Sequence, residues 1–115
     1  MRNVEILCQE SAAQGNATAQ FNLGLMYESG HGVSQDHVRA VEWYRKAANQ
    51  GHAGAQSNLG TMYENGQGVS RDHVRAVEWY RKAANQGYAG AQCNLGGMYA
   101  NGSGVSQDHV RAEEW

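Results

Sequence analysis

A repeat of 36 residues dominates the sequence. Ala19-Gln20 recurs at 55–56 and 91–92, and Trp43 recurs at 79 and 115. Segments 19–54 and 55–90 differ at only six of 36 positions, whereas the third copy covers 91–115 and residues 1–18 fit the pattern weakly. A period of this length indicates a stacked array, in which each unit buries its apolar face against the next.

Each unit is predicted to contain two helices. In the first, near 19–29, apolar residues recur at spacings of three and four, which places them on one helical face. Glycines at 30–32 end that helix, and Asp36 is suited to cap the start of the second. The second helix has apolar residues over a broad arc and ends at Gly51, so we expect helices on more than one side of it.

Gly24 stands inside the first helix of its unit, and glycine recurs there at 60 and 96. A glycine within a helix costs about 1 kcal/mol relative to alanine. Its recurrence at one place in every copy predicts that another helix crosses closely at this point and leaves no room for a side chain.

Composition and charge exclude several classes of partner. A net charge of -2 gives no electrostatic reason to expect nucleic acid or an anionic membrane. No apolar run reaches the roughly 18–20 residues of a membrane helix.

Cys8 and Cys93 are too far apart in a rigid array to form a disulfide, which fits a reducing compartment. Early charges argue against a signal peptide, so a complete chain is expected to be cytoplasmic.

The pattern Ala-Gln-x-Asn-Leu-Gly-x-Met-Tyr, then Gly-x-Gly-Val, then Arg-Ala-Val-Glu-Trp-Tyr-Arg-Lys-Ala-Ala-Asn-Gln-Gly, resembles the Sel-one-like repeat, a close relative of the tetratricopeptide repeat. The resemblance implies an all-α, right-handed superhelical solenoid of antiparallel helix pairs. Repeats would occupy 19–54, 55–90 and, partially, 91–115, preceded by a degenerate second helix in 1–18, all within one domain. It also implies an adaptor that binds a protein or peptide and needs no cofactor.

Motifs that suggest chemistry have simpler explanations. The Gly-x-Gly pairs lack the strand, third glycine or Gly-Lys-Ser/Thr of nucleotide-binding loops. His37 recurs at 73 and 109, but stacked helices lie roughly 10 Å apart and a metal ligand reaches only about 2 Å. No nucleophile has an evident base beside it. We therefore expect no metal site and no enzyme.

Two alternatives to an adaptor remain. β-Lactam hydrolysis has been attributed to cysteine-rich bacterial relatives of this repeat, although their cysteine placement is absent here. An RNA-binding array is suggested by the bases of the second helices, yet Glu42 is spaced to pair with Arg45 and Lys46 on an exposed face. A solvated face is therefore expected there.

Variation among the copies has two explanations, a partner-binding surface or neutral drift on an exposed face. The first-helix positions that differ fall within an arc of about 100°, opposite the constant Leu23, Met26 and Tyr27. In tetratricopeptide relatives, the first helices line the concave groove, so we expect this stripe to face outward and bind a partner. A constant asparagine column at its edge could bind a peptide backbone or tie adjacent repeats together. The predicted groove comprises Phe21, Asn22, Leu25, Glu28, Ser29, Ser57, Asn58, Thr61, Glu64, Asn65, Cys93, Asn94, Gly97 and Asn101.

The last copy stops at Trp115, in mid-helix by the repeat pattern, and carries Glu113 where earlier copies have Val41 and Val77. Those valines are expected to pack against a following repeat. Tyr99 would be partly uncovered, and an apolar patch of that kind invites a partner. We therefore expect end-to-end self-association around Tyr99 and Trp115, with segment 4–14 of a neighbouring molecule as the filler.

Overall fold

A computed structural model describes residues 10–101, which form helices and turns with no strand in that range. Residues 10–13 are helical and precede five helices of 13 residues each. These are α1 (Ala17–Ser29), α2 (His37–Asn49), α3 (Ala53–Asn65), α4 (His73–Asn85) and α5 (Ala89–Asn101). Two helices per repeat, as the sequence predicts, are confirmed for 19–54 and 55–90, the two repeats that lie wholly within the described residues.

Side chains cap the second helices at their starts. Asp36 Oδ1 accepts a hydrogen bond from the Arg39 backbone N–H at 3.1 Å, and Asp72 does the same for Arg75. Each cap satisfies one of the amide groups that a helix start leaves without a partner. The predicted role of Asp36 is confirmed.

Glycines in the left-handed conformation end the helices. Gly30 follows α1 with φ +78°, and its N–H bonds to the Met26 carbonyl. Gly51 follows α2 with φ +90° and bonds to the Ala48 carbonyl, while His52 N–H reaches the carbonyl of Ala47. This pair of bonds is a Schellman motif, which only glycine completes without strain. The chain then enters α3 at once.

Consecutive helices pack antiparallel. Gln50, just after the end of α2, donates to Gln20 near the start of α1. Tyr44, which comes earlier in α2, donates to Glu28 near the end of α1. The principal contacts join α1 with α2, α2 with α3, α3 with α4, and α4 with α5. A stack in which helices pack mainly on their chain neighbours is a solenoid.

Both central glycines lie where another helix crosses. A Cβ built on Gly24 would stand 2.6 Å from two ring carbons of Tyr44. A Cβ on Gly60 would stand 2.8 Å from the Tyr80 ring and 3.2 Å from the Ala76 carbonyl oxygen. The close crossing predicted from the recurring glycine is confirmed at these two positions.

The core is built from alanines that allow close approach and large side chains that fill the remaining volume. Val41 and Val77 are 2% and 3% exposed within the main cluster. Glu113, their counterpart in the third copy, lies outside the described residues. The largest fully buried side chains are those of Tyr44, Tyr80, Leu23, Leu59, Met62, Leu95 and Val41.

None of the helices in the described part is long and apolar enough to span a membrane.

Glutamines join successive repeats through buried hydrogen bonds. Gln56 is 5% exposed and donates to the Ala48 carbonyl at 3.1 Å, while its Oε1 accepts from Gln86 at 2.9 Å. Gln20 makes the equivalent bonds with the Ala12 carbonyl and Gln50. A buried amide satisfied on both sides fixes how one helix pair sits on the next.

The expected pairing of Glu42 with Arg45 and Lys46 is wrong. Arg45 donates to the Tyr63 hydroxyl at 2.8 Å and Lys46 lies over the Trp43 ring, so neither pairs with Glu42. Ion pairs between described residues are confined to Asp36 with Arg39 and Asp72 with Arg75. Arg45 thus reaches a hydroxyl on α3, the helix packed against its own, whereas Lys46 lies over a ring one turn away on its own helix.

Tyr99 is also buried rather than partly uncovered, at 2% exposure. It belongs to the main core cluster, and its hydroxyl accepts a hydrogen bond from Arg81 on α4. Arg81 of the preceding helix thus contacts both the hydroxyl and the ring of Tyr99. Trp115 and part of segment 4–14 lie outside the described residues, so end-to-end association remains a prediction without the Tyr99 patch.

Candidate binding groove

A cavity of about 290 Å³ opens between neighbouring first helices. Leu25, Glu28 and Ser29 of α1 form one side, and Asn58 and Thr61 of α3 form the other. All five belong to the groove expected from the sequence. The cavity thus brings together residues of two repeats that are far apart in the chain.

Tyr44 holds the carboxylate of Glu28 in place from below. The ring lies on the Cα of Gly24, and its hydroxyl donates to Glu28 Oε1 at 2.5 Å. Burial, followed by the neighbouring Glu28 carboxylate, raises the pKa of Tyr44, and the Asn58 side chain opposes this weakly. The hydroxyl therefore stays protonated and donates to the carboxylate, which fixes the carboxylate in one position.

The second repeat repeats this arrangement with one change. The Tyr80 hydroxyl donates to Glu64 Oε1 at 2.7 Å and also lies 2.9 Å from Thr61 Oγ1. Burial is the main cause that raises the pKa of Tyr80; the Thr61 bond lowers it and Glu64 raises it. Where α1 has the apolar Leu25, α3 has a hydroxyl that joins the network.

The variable stripe does not face outward along its whole length. Ser57 is only 4% exposed, so the expectation is wrong there. Phe21 is half-buried and stacks on His52, with ring centroids 4.6 Å apart. Phe21 and Ser57 occupy the same position in their repeats, and a helical wheel does not show which part of the stripe is covered by packing.

Farther along the stripe the residues are open. Leu25 is 39% exposed, and Ser29, Asn65, Cys93 and Gly97 are exposed as well. The side chain of Asn101 lies outside what the structure describes. The open part of the groove is thus its half nearer the carboxyl ends of the first helices, together with α5.

The three asparagines of the column differ in their surroundings. Asn22 and Asn94 are exposed, whereas Asn58 is half-buried and faces the Tyr44 hydroxyl of the preceding repeat. Asn58 therefore both lines the cavity and faces the neighbouring repeat.

His52 is a structural residue that sequence reasoning missed. Its Nδ1 accepts the Ala55 backbone N–H at 3.0 Å and thereby caps α3. Burial lowers the pKa of this imidazole, and an acceptor Nδ1 also requires the unprotonated ring. The available signal was the cap position itself, since Asn16 occupies it before α1.

Charge separates the two faces of the stack. The described basic residues lie on α2, on α4 or, for Arg71, in the turn before α4, and the first helices have none. Lys46 and Lys82 each lie 4.5 Å above a tryptophan ring of their own helix. The groove side carries the acids Glu28 and Glu64.

No described member of the histidine column or of the glycine turns lines this cavity. Within residues 10–101, no group of three or more His, Cys, Asp or Glu side chains is placed to surround a metal ion. Gly30, Gly32, Gly66 and Gly68 have positive φ in the turns after α1 and α3. These glycines therefore serve the helix ends.

Comparisons with known proteins agree with the fold and the period. The Sel1 repeat family model matches residues 17–52, 53–88 and 89–115. No curated protein matches the chain. The solved structure of a Sel1 repeat protein from Oxalobacter formigenes is 40% identical with a TM-score of 0.85, over 96% of this chain and 83% of that one.

Two further solved structures share the architecture. A protective antigen of uropathogenic Escherichia coli strains, which displays an SLR fold, is 46% identical with a TM-score of 0.93; the match covers 94% of this chain but only 23% of the antigen. Helicobacter pylori cysteine rich protein B is 23% identical with a TM-score of 0.73 over 97% of this chain and 85% of its own, which shows the fold alone. With three matched repeats and an all-helical stack of antiparallel pairs, the chain belongs to the Sel1 repeat family.

Proposed function

We propose that this chain is a non-enzymatic adaptor that holds an extended segment of a partner protein in the groove between α1 and α3. Sel1 repeat proteins generally serve as protein-interaction modules. The observation that carries the proposal is the cavity of about 290 Å³ lined by Leu25, Glu28, Ser29, Asn58 and Thr61. Leu25, Ser29 and Thr61 occupy positions that differ between otherwise near-identical repeats.

The walls of the groove offer what an extended segment requires. Leu25 gives an apolar contact, Asn58 can donate and accept, and Thr61 and Ser29 carry hydroxyls. Glu28 in the groove wall is also positioned by Tyr44, which is fully buried and donates to its carboxylate. A site that is formed before binding spends little conformational entropy on association.

Binding can be tested with peptides selected from a random 12-residue phage library on the full chain. We expect the affinity of a selected peptide, measured by calorimetry, to fall about tenfold or more in Asn58→Ala and in Leu25→Ser. Val38→Ser is the matched control, because Val38 is an exposed aliphatic residue of α2, at 55% exposure. Peptides that lose affinity in Val38→Ser, and keep it in both groove variants, would contradict the proposal.

A further inference from the structure

We propose that the groove recognises a basic partner segment, with one lysine or arginine side chain placed against Glu28. This inference rests on the proposed function and names the chemistry of the segment that the groove takes. The cationic end of that side chain would meet the Glu28 carboxylate, and its aliphatic stem would lie on Leu25.

The charge distribution supports a cationic partner. The residues of α1 include one acid, Glu28, and no base; those of α3 include one acid, Glu64, and no base; and those of α5 have neither. Arg45 of α2 and Arg81 of α4 bond to the hydroxyls of Tyr63 on α3 and Tyr99 on α5. Neither arginine lines the cavity. A groove whose wall has charge of one sign draws partners of the opposite sign and repels those of like sign.

The lining of the cavity also complements a long basic side chain. Lysine and arginine combine an apolar stem with a charged end, and they pack best where an apolar wall leads to an acceptor. Leu25 and Glu28 form such a wall, since both line the cavity from the same helix at a spacing of three. Tyr44 holds Oε1 of the carboxylate, so the acceptor is already positioned.

The Glu28 end of the groove suits this role better than the Glu64 end. The turn that follows α1 carries Gln35, whose side chain donates to the Glu28 backbone carbonyl at 2.8 Å. In the next repeat the corresponding residue is Arg71, which brings a positive charge to the turn that follows α3. The neutral Gln35 leaves the first site the more negative of the two.

The decisive experiment compares two variants that remove the same charge from opposite faces. Glu28→Gln removes the charge and keeps an oxygen that can accept from the Tyr44 hydroxyl. Glu42→Gln removes one charge from the exposed face of α2. Peptides selected from the 12-residue library on the wild-type chain should be enriched in lysine or arginine at one position. We expect their affinity to fall about tenfold in Glu28→Gln and to stay unchanged in Glu42→Gln. Replacing the basic residue of the peptide with alanine should weaken binding to the wild type and have little further effect in Glu28→Gln.

The outcomes separate this inference from the proposed function. Peptides that lose affinity in Asn58→Ala, but contain no enriched basic residue and bind Glu28→Gln as they bind wild type, would overturn the basic segment and leave the groove intact. Peptides insensitive to Asn58→Ala would contradict the groove itself. An equal loss in Glu28→Gln and Glu42→Gln would also overturn the inference, because it would show a general charge effect.

Discussion

The ring of Tyr44 occupies the space that a side chain on Gly24 would fill: an added Cβ would lie 2.6 Å from two of its ring carbons. This contact lets α2 approach α1 closely enough for the Tyr44 hydroxyl to reach Glu28, one turn farther along α1. The glycine thus connects the packing of the helix pair to the position of a carboxylate in the groove.

The same contact in the second repeat predicts a stability effect. Gly60→Leu should lower the free energy of unfolding by about 1–3 kcal/mol, because the new side chain would overpack the crossing with Tyr80. Gly97→Ala is the control: nothing lies within 4 Å of its Cβ, and alanine should stabilise α5 by up to about 1 kcal/mol. Urea denaturation followed by circular dichroism measures both, and a Gly60→Leu protein as stable as wild type would show that the crossing is misplaced.

The hydroxyl of Tyr44 should contribute measurably to stability. Tyr44→Phe removes a buried donor to a carboxylate, and we expect a loss of about 1–2 kcal/mol in the free energy of unfolding. Tyr27→Phe should change it by less than about 0.5 kcal/mol, since its hydroxyl only accepts a long, exposed bond from Arg39. Equal losses in the two variants would mean that the Glu28 contact adds nothing.

His52 should make stability depend on pH. Because burial places its folded-state pKa below its ordinary value of about 6.5, the unfolded chain binds the proton more readily. The stabilising cap is present above pH of about 6.5 and is lost as the pH falls through the folded-state pKa. Loss of the cap should cost about 1 kcal/mol. Thermal unfolding between pH 8 and pH 5 measures this slope.

The control for this effect uses a residue that the array already contains. His52→Asn supplies an uncharged acceptor like that of Asn16, so we expect a flatter dependence of stability on pH. His31→Asn, in the exposed turn after α1, should leave the dependence as in wild type. If His31→Asn flattens the curve and His52→Asn does not, the cap is not the titrating element.

The sequence predicts the helix pairs because the residues that determine them lie within one repeat. Asp36 caps α2 through its own backbone neighbours, and the recurring Gly24 signals a contact that every repeat must make. The period then carries each inference from one copy to the next. Helix number, helix ends and the crossing point were therefore within reach of the sequence.

The site could be predicted only in part, because its details depend on how neighbouring repeats meet. The predicted groove contains all five residues of the cavity, yet it also contains the buried Ser57. Arg45 donates to the Tyr63 hydroxyl on the next helix and does not pair with Glu42 on its own helix. Side-chain partners across helices depend on rotation and distance between them, which a single-helix projection does not contain.

Binding in the groove between α1 and α3 is tested most directly by the amide spectrum of the ¹⁵N-labelled full chain, recorded as a selected 12-residue peptide is added. We predict that the amide signals of Leu25, Asn58 and Thr61 shift and that those of Val38 and Val74, exposed on α2 and α4, stay in place. Shifts confined to α2 and α4, with the first helices unchanged, would contradict the groove.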